Sequence, residues 1–196
     1  MGRILLAIRL FLCLLVLIPP TVLVPTLAVA FTQEVLYVRP TADCTFNGNG
    51  TADACAASAG AVGAFTRFAN VLLSETDETA GRIDPGDYLY VCGNFVAADK
   101  FSATTMINLL WGVTVGPVTA DGDCSAFGGT SQAVVDGENS VNYGYYTAQR
   151  TYHTVKNMWI KWNTSKCVLL YNDSVADVTL DKNILIQDVT VSDCRG

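Results

Sequence analysis

Val155-Lys156-Asn157-Met158-Trp159-Ile160 recurs 31 positions later as Ile186-Gln187-Asp188-Val189-Thr190-Val191. Both copies read apolar, polar, Asn or Asp, apolar, variable, apolar. Side chains alternate across a strand, so Met158 and Ile160 share one face, as do Val189 and Val191. A strand pattern that returns after a few tens of residues, with an amide or carboxylate between apolar positions, fits a coiled stack of strands. Each turn of such a stack buries its inward residues only against the turns above and below it. The expectation is an all-β chain forming a β-solenoid. The second copy runs up to the last residue, Gly196, so the sequence reads as the first turns of a longer solenoid.

The other end reads differently. Arg3 and Arg9 precede an uninterrupted apolar run over 10–18, and Ala28-Val29-Ala30 is a small-x-small site. This is the pattern of a secretory signal peptide over 1–30, cleaved after Ala30. Pro19, Pro20 and Pro25 and the shortness of the run argue against a membrane-spanning helix. Beyond Ala30 stand 18 acidic and 10 basic residues, a formal net charge of −8. So acidic a surface repels nucleic acid, whose phosphates call for clustered Lys and Arg. The expected address is extracellular, periplasmic or cell-surface, with no membrane contact after cleavage. One domain is expected over 31–196.

Six cysteines remain after the leader: Cys44, Cys55, Cys92, Cys124, Cys167 and Cys194. An even count in an exported chain favours disulfides. Many connectivities are open to six cysteines. Pairing in sequence order, Cys44–Cys55, Cys92–Cys124 and Cys167–Cys194, is the expected one. A zinc site is the alternative, but there is no Cys-x-x-Cys, and the sole histidine, His153, has no ligand at zinc spacing. Three glycosylation sequons occur, at Asn49, Asn163 and Asn172.

Between these marks the chain is β-rich. The stretch 34–39 is a strand stopped by Pro40, and an Asn/Gly/Ala loop follows to about residue 57. Ala64, Phe65, Phe68, Ala69, Leu72 and Leu73 fall at helical spacing and predict a short amphipathic helix over about 62–73. Asp84-Pro85-Gly86-Asp87 is a turn that launches the apolar strand Tyr88-Leu89-Tyr90-Val91-Cys92. Gly116-Pro117 and Asp136-Gly137 end later strands.

This order of landmarks, Leu36-Tyr37-Val38-Arg39-Pro40, then Pro85-Gly86-Asp87 with its strand and Gly93, then Val134-Val135-Asp136-Gly137 and the Val-x-Asn turns, resembles a known group. It is similar to the N-terminal part of secreted bacterial right-handed parallel β-helix proteins of the pectin lyase-like superfamily. The likeness covers nearly all of 34–196, and it implies a cap over about 31–92 and early turns over about 93–196. It also implies a carbohydrate-related role, the binding or cleavage of an acidic polysaccharide, with lyase chemistry ahead of hydrolysis. Non-catalytic surface scaffolds share the fold, so whether the chain is an enzyme stays open. Lyases of this kind commonly bind Ca2+ through carboxylates on a sheet face and use Arg or Lys as base.

The carboxylates closest to that pattern are Asp173, Asp177, Asp181 and Asp188, with Lys182 among them. Asp173, Asp177, Asp181 and Lys182 are the catalytic candidates. Asp177, Asp181 and Asp188 are the Ca2+ candidates, since hard cations take oxygen ligands. Turn chemistry explains Asp at such positions equally well. Asn157 and Asp188 read as an inward ladder serving turn backbone groups. Tyr143, Tyr145, Tyr146, Tyr152, Trp159 and Trp162 are candidates for stacking on sugar rings. By parity Trp159 and Trp162 lie on opposite strand faces, so only one of them is expected on a given face. His153 has no Gly-x-Ser-x-Gly partner and makes no triad.

Overall fold

Leu36, Leu89, Ala120 and Val155 come from four distant segments, yet they stand side by side in register and are fully buried. The computed structural model that shows this describes residues 33–71, 83, 86–108, 118–148, 153–171 and 184–195. Its strands are β1 (Val35–Arg39), β2 (Phe65–Thr66), β3 (Tyr88–Val91), β4 (Asn94–Phe95), β5 (Thr105–Asn108) and β6 (Val118–Asp121). They continue as β7 (Ala133–Asp136), β8 (Tyr143–Ala148), β9 (His153–Lys161), β10 (Lys166–Tyr171) and β11 (Leu185–Ser192). Among the described residues the only helical pieces are three single 3-10 turns. The protein is all-β.

Every strand pairing among the described residues is parallel. One sheet runs β2-β1-β3-β6-β9-β7-β4, with β11 also on β9, and a second runs β10-β8-β5. Parallel neighbours cannot be joined by a tight hairpin, so the chain must travel away and return before each pairing. The returns set up columns. Phe95, Val135 and Ile160 form one, and Ala133 and Met158 another, all fully buried. In the second sheet Ile107 and Tyr145 do the same. These columns join one hydrophobic core.

The repeat that opens the sequence is paired as its spacing predicts. Val155 faces Ile186, Met158 faces Val189 and Ile160 faces Val191. Between the matched pairs, Asn157 and Asp188 both adopt left-handed backbone, with φ of 55° and 51°. A left-handed residue resets strand parity, which is why Val155 and Met158, three apart, both point inward. Asn and Asp tolerate this conformation better than other non-glycine residues. β11 is mostly exposed, Val191 at 53%, and no described strand pairs with its far edge.

All three disulfides pair in sequence order: Cys44–Cys55, Cys92–Cys124 and Cys167–Cys194, with Cα separations of 5.2, 5.6 and 5.5 Å. Together they fit an oxidising compartment. Among the described residues no helix is long and apolar enough to cross a membrane. The leader expected over 1–30 lies outside the described residues.

Over 62–71 the helix expected for 62–73 does not form. Phe65–Thr66 instead adds to the edge of β1, and Phe68–Asn70 makes one 3-10 turn. Long-range partners win over local periodicity: the Arg67 N–H donates to the Arg39 carbonyl (2.9 Å) and the Thr66 N–H to Asn47 Oδ1 (2.9 Å). Phe65 and Phe68 still reach the core. Leu72 and Leu73 lie outside the described residues.

Gly122 follows β6 at the corner where Asn157 follows the first half of β9. Its N–H donates to the Lys156 carbonyl (2.9 Å), and a Cβ there would collide with the Asn157 carbonyl. Backbone cannot move aside as a side chain can. Gly122→Ala should cost about 2–3 kcal/mol through overpacking. Gly128→Ala, at a left-handed position with open space around it, should cost only about 1 kcal/mol. Chemical denaturation of the two variants checks the ranking.

Candidate functional site

Two groups of side chains stand on the outer surface of the larger sheet. The first grows from the column Tyr37, Tyr90, Asp121, Lys156, which takes one outward residue from each of β1, β3, β6 and β9. Tyr37 and Tyr90 stack with ring centroids 5.5 Å apart, and Phe127 meets the Tyr90 ring edge-on at 4.9 Å. Asp121 sits at the centre. Its carboxylate accepts from the Tyr88 hydroxyl, from Lys156 Nζ (2.9 Å), from Asn157 Nδ2 (2.8 Å) and from the Asp123 N–H (2.9 Å).

The electrostatics follow from that geometry. Burial alone would raise the Asp121 pKa, but its donors, Tyr88 first, outweigh it and hold the group below the ordinary carboxylate value. Burial and the bond to Asp121 push the Tyr88 hydroxyl up to about 12. The bonds to Tyr88 and Asp121 raise Lys156 above the usual lysine value. At neutral pH the cluster is therefore a neutral phenol, a carboxylate and an ammonium. None of them is poised as a base.

The second group lies on the other half of β9 and the corner after it. Trp159 and Trp162 are 36% and 44% exposed, large values for so apolar a residue. Lys161 Nζ lies 4.8 Å from the Trp159 ring centroid and 5.3 Å from that of Trp162, within cation–π range of both. Asp136 anchors the same ammonium at 3.3 Å. The indole N–H groups are also held, Trp159 to Ser192 Oγ (3.0 Å) and Trp162 to Asp193 Oδ2 (2.9 Å). The two rings form a fixed, solvent-facing platform.

Strand parity places these tryptophans on opposite faces, and the structure does not. β9 ends at Lys161, and Trp162 takes left-handed backbone with φ of 53°, which turns its side chain back to the outside. A bulky residue there costs on the order of 1–3 kcal/mol relative to Gly, and strain of this kind gathers at functional positions. Asn139 and Asp193, beside it on the flanking passes, are also left-handed at 54° and 55°. Next to Trp162 opens a concavity of about 490 Å3 lined by Asn139, Trp162, Asp193, Cys194 and Arg195.

The sequence-derived candidates are distributed unevenly. Asp173, Asp177, Asp181, Lys182 and Tyr152 lie outside the described residues, as does the Asn172 sequon. Asp188 is exposed on β11, with its carboxylate accepting from Gln187 Nε2 (3.1 Å). Among the described residues no three His, Cys, Asp or Glu gather as metal ligands. Asn157 and Asp188 are in register, but not as an inward ladder: Asn157 donates across to the Asp121 carboxylate (2.8 Å), and Asp188 is exposed. Tyr145 is fully buried in the core, so it cannot stack on a ligand. Asn163 is 0% exposed, with Nδ2 on the Lys161 carbonyl (3.0 Å), so the folded chain does not present that sequon.

Comparison with protein-family models, with curated proteins and with solved structures finds no match.

Asp121 supplies a test of the first group. Asp121→Asn removes the charge that Lys156 and Tyr88 answer to and should cost about 1–3 kcal/mol. Because its folded pKa is depressed, its contribution is present above the unfolded value near about 3.9 and disappears as pH falls through the folded one. The difference in stability between wild type and Asp121→Asn should therefore shrink below about pH 4. Denaturant melts across the acid range measure it.

Proposed function

We propose that this chain is a right-handed parallel β-helix, of the kind found at the start of secreted pectin lyase-like proteins, and that it binds polysaccharide. The columns of parallel strands, with left-handed backbone at the matching corners Asn157 and Asp188, support the coiled architecture. Right-handed return is the rule for parallel crossovers. The observation that carries the function is the platform of Trp159 and Trp162, two indoles held facing solvent around Lys161. Sugar rings present an apolar C–H face to such indoles and hydroxyls to the polar groups beside them.

Of the two activities that the resemblance implies, binding fits the described residues better than cleavage. A lyase needs a base near neutrality to take a proton beside a carboxylate. The outer-face candidates move the other way, with Tyr88 at about 12 and Lys156 raised. The cluster around Asp121 serves instead to clamp three neighbouring strands together. On this reading the sheet is the scaffold and the exposed aromatic corner is the working surface.

Affinity electrophoresis through gels containing soluble polysaccharides is the direct test. The wild-type chain should be retarded by at least one of them, and Trp159→Ala should reduce that retardation without lowering the melting temperature by more than a few degrees. Unchanged mobility in every gel would contradict the binding reading. Growth of ultraviolet absorbance from unsaturated uronates would show cleavage instead.

A further inference from the structure

We infer that the concavity beside Trp162 is a subsite for a neutral pyranose, and not for the acidic sugar that the family resemblance implies. The inference rests on the polysaccharide-binding reading and names the sugar at that site. The wall is the indole of Trp162, 44% exposed, and the rim carries three polar side chains: Asn139, Asp193 and Arg195. Their chemistry is mixed. Asp193 gives one carboxylate oxygen to the Trp162 indole N–H (2.9 Å), and no donor among the described residues meets the other. Arg195 offers five N–H donors, and among the described residues its guanidinium is paired with no carboxylate. The Asn139 amide both donates and accepts.

A carboxylate and a guanidinium on one rim sum to no net charge. Such a site suits a ligand that is itself uncharged and both donates and accepts along its edge, as vicinal hydroxyls do. A uronate could pair with Arg195 only with its carboxylate also close to Asp193, on a chain whose formal charge is already −6. An amino sugar could pair with Asp193 only with its ammonium also close to Arg195. The volume, about 490 Å3, lies within the roughly 300–1,000 Å3 of small-ligand sites.

The backbone of the rim is also held before any ligand arrives. Cys194, between Asp193 and Arg195, is bonded to Cys167. The Arg195 N–H donates to the Asn163 carbonyl (3.1 Å) and the Asn139 N–H to the Trp162 carbonyl (2.7 Å). Backbone held in this way loses little freedom when a sugar binds.

Calorimetric titration with neutral manno-, cello- and galacto-trisaccharides, with trigalacturonate and with a chitosan trimer tests the assignment. Trp162→Gly is the informative variant, because glycine suits the left-handed backbone there and keeps the fold. At least one neutral trisaccharide should bind and the charged ones should not. Trp162→Gly should weaken that binding roughly tenfold or more, with an equal or higher melting temperature. Arg195→Ala and Asp193→Asn should each weaken it as well. Trigalacturonate or the chitosan trimer binding as tightly as the neutral sugars, or a Trp162→Gly variant of unchanged affinity, would overturn the subsite while leaving the polysaccharide reading in place. No binding of any saccharide would overturn both.

Discussion

The hydrogen bond from the Gly122 N–H to the Lys156 carbonyl ties two passes of the chain together at the corner where each must bend. Everything else in the larger sheet takes its register from that corner. Asn157 turns the strand there in left-handed backbone, and Asp188 repeats the turn on the next pass. With the corners aligned, the residues on either side fall into columns: Leu36 over Leu89, Ala120 and Val155, and Phe95 beside Val135 and Ile160. Burial then stabilises the stack, since each apolar side chain is removed from water only by its counterparts on neighbouring passes.

Columns on the inside imply columns on the outside. The same register that buries Val155 brings Tyr90, Asp121 and Lys156 into line on the outer surface, where Tyr88, Asp121 and Lys156 form a charged and hydrogen-bonded clamp across β3, β6 and β9. It also brings Asp136 beside Lys161, and Lys161 between two tryptophans. Function on such a scaffold is a matter of which side chains face out at one column height. Here the aromatic and mixed-charge residues gather at one corner, around Trp162.

The repeat at 155–160 and 186–191 was legible because both copies bend at an Asn or Asp and alternate apolar residues around it, and they pair residue for residue. The cysteine pairing was legible too, since each partner was the next cysteine along. Other features were hidden for physical reasons. Trp162 faces out because its φ is positive, and parity arithmetic assumes extended backbone throughout. The segment 62–73 has helical spacing but finds its hydrogen-bond partners in Arg39 and Asn47, which no local window contains. The Asp121 cluster escaped notice because its members lie on three passes. One signal was present: Tyr88-Leu89-Tyr90 and Thr119-Ala120-Asp121 are themselves 31 residues apart, the period of the visible repeat.

In-register parallel stacking of successive passes is the claim from which the core, the clamp and the aromatic corner all follow. Methyl NOEs in selectively labelled protein test it most directly, because strands about 4.8 Å apart bring stacked side chains well within range. The account predicts cross-peaks between Val155 and Ile186, between Met158 and Val189 and between Ile160 and Val191. Cross-peaks joining Val155 to Val191 and Ile160 to Ile186 would mean antiparallel pairing and would contradict it.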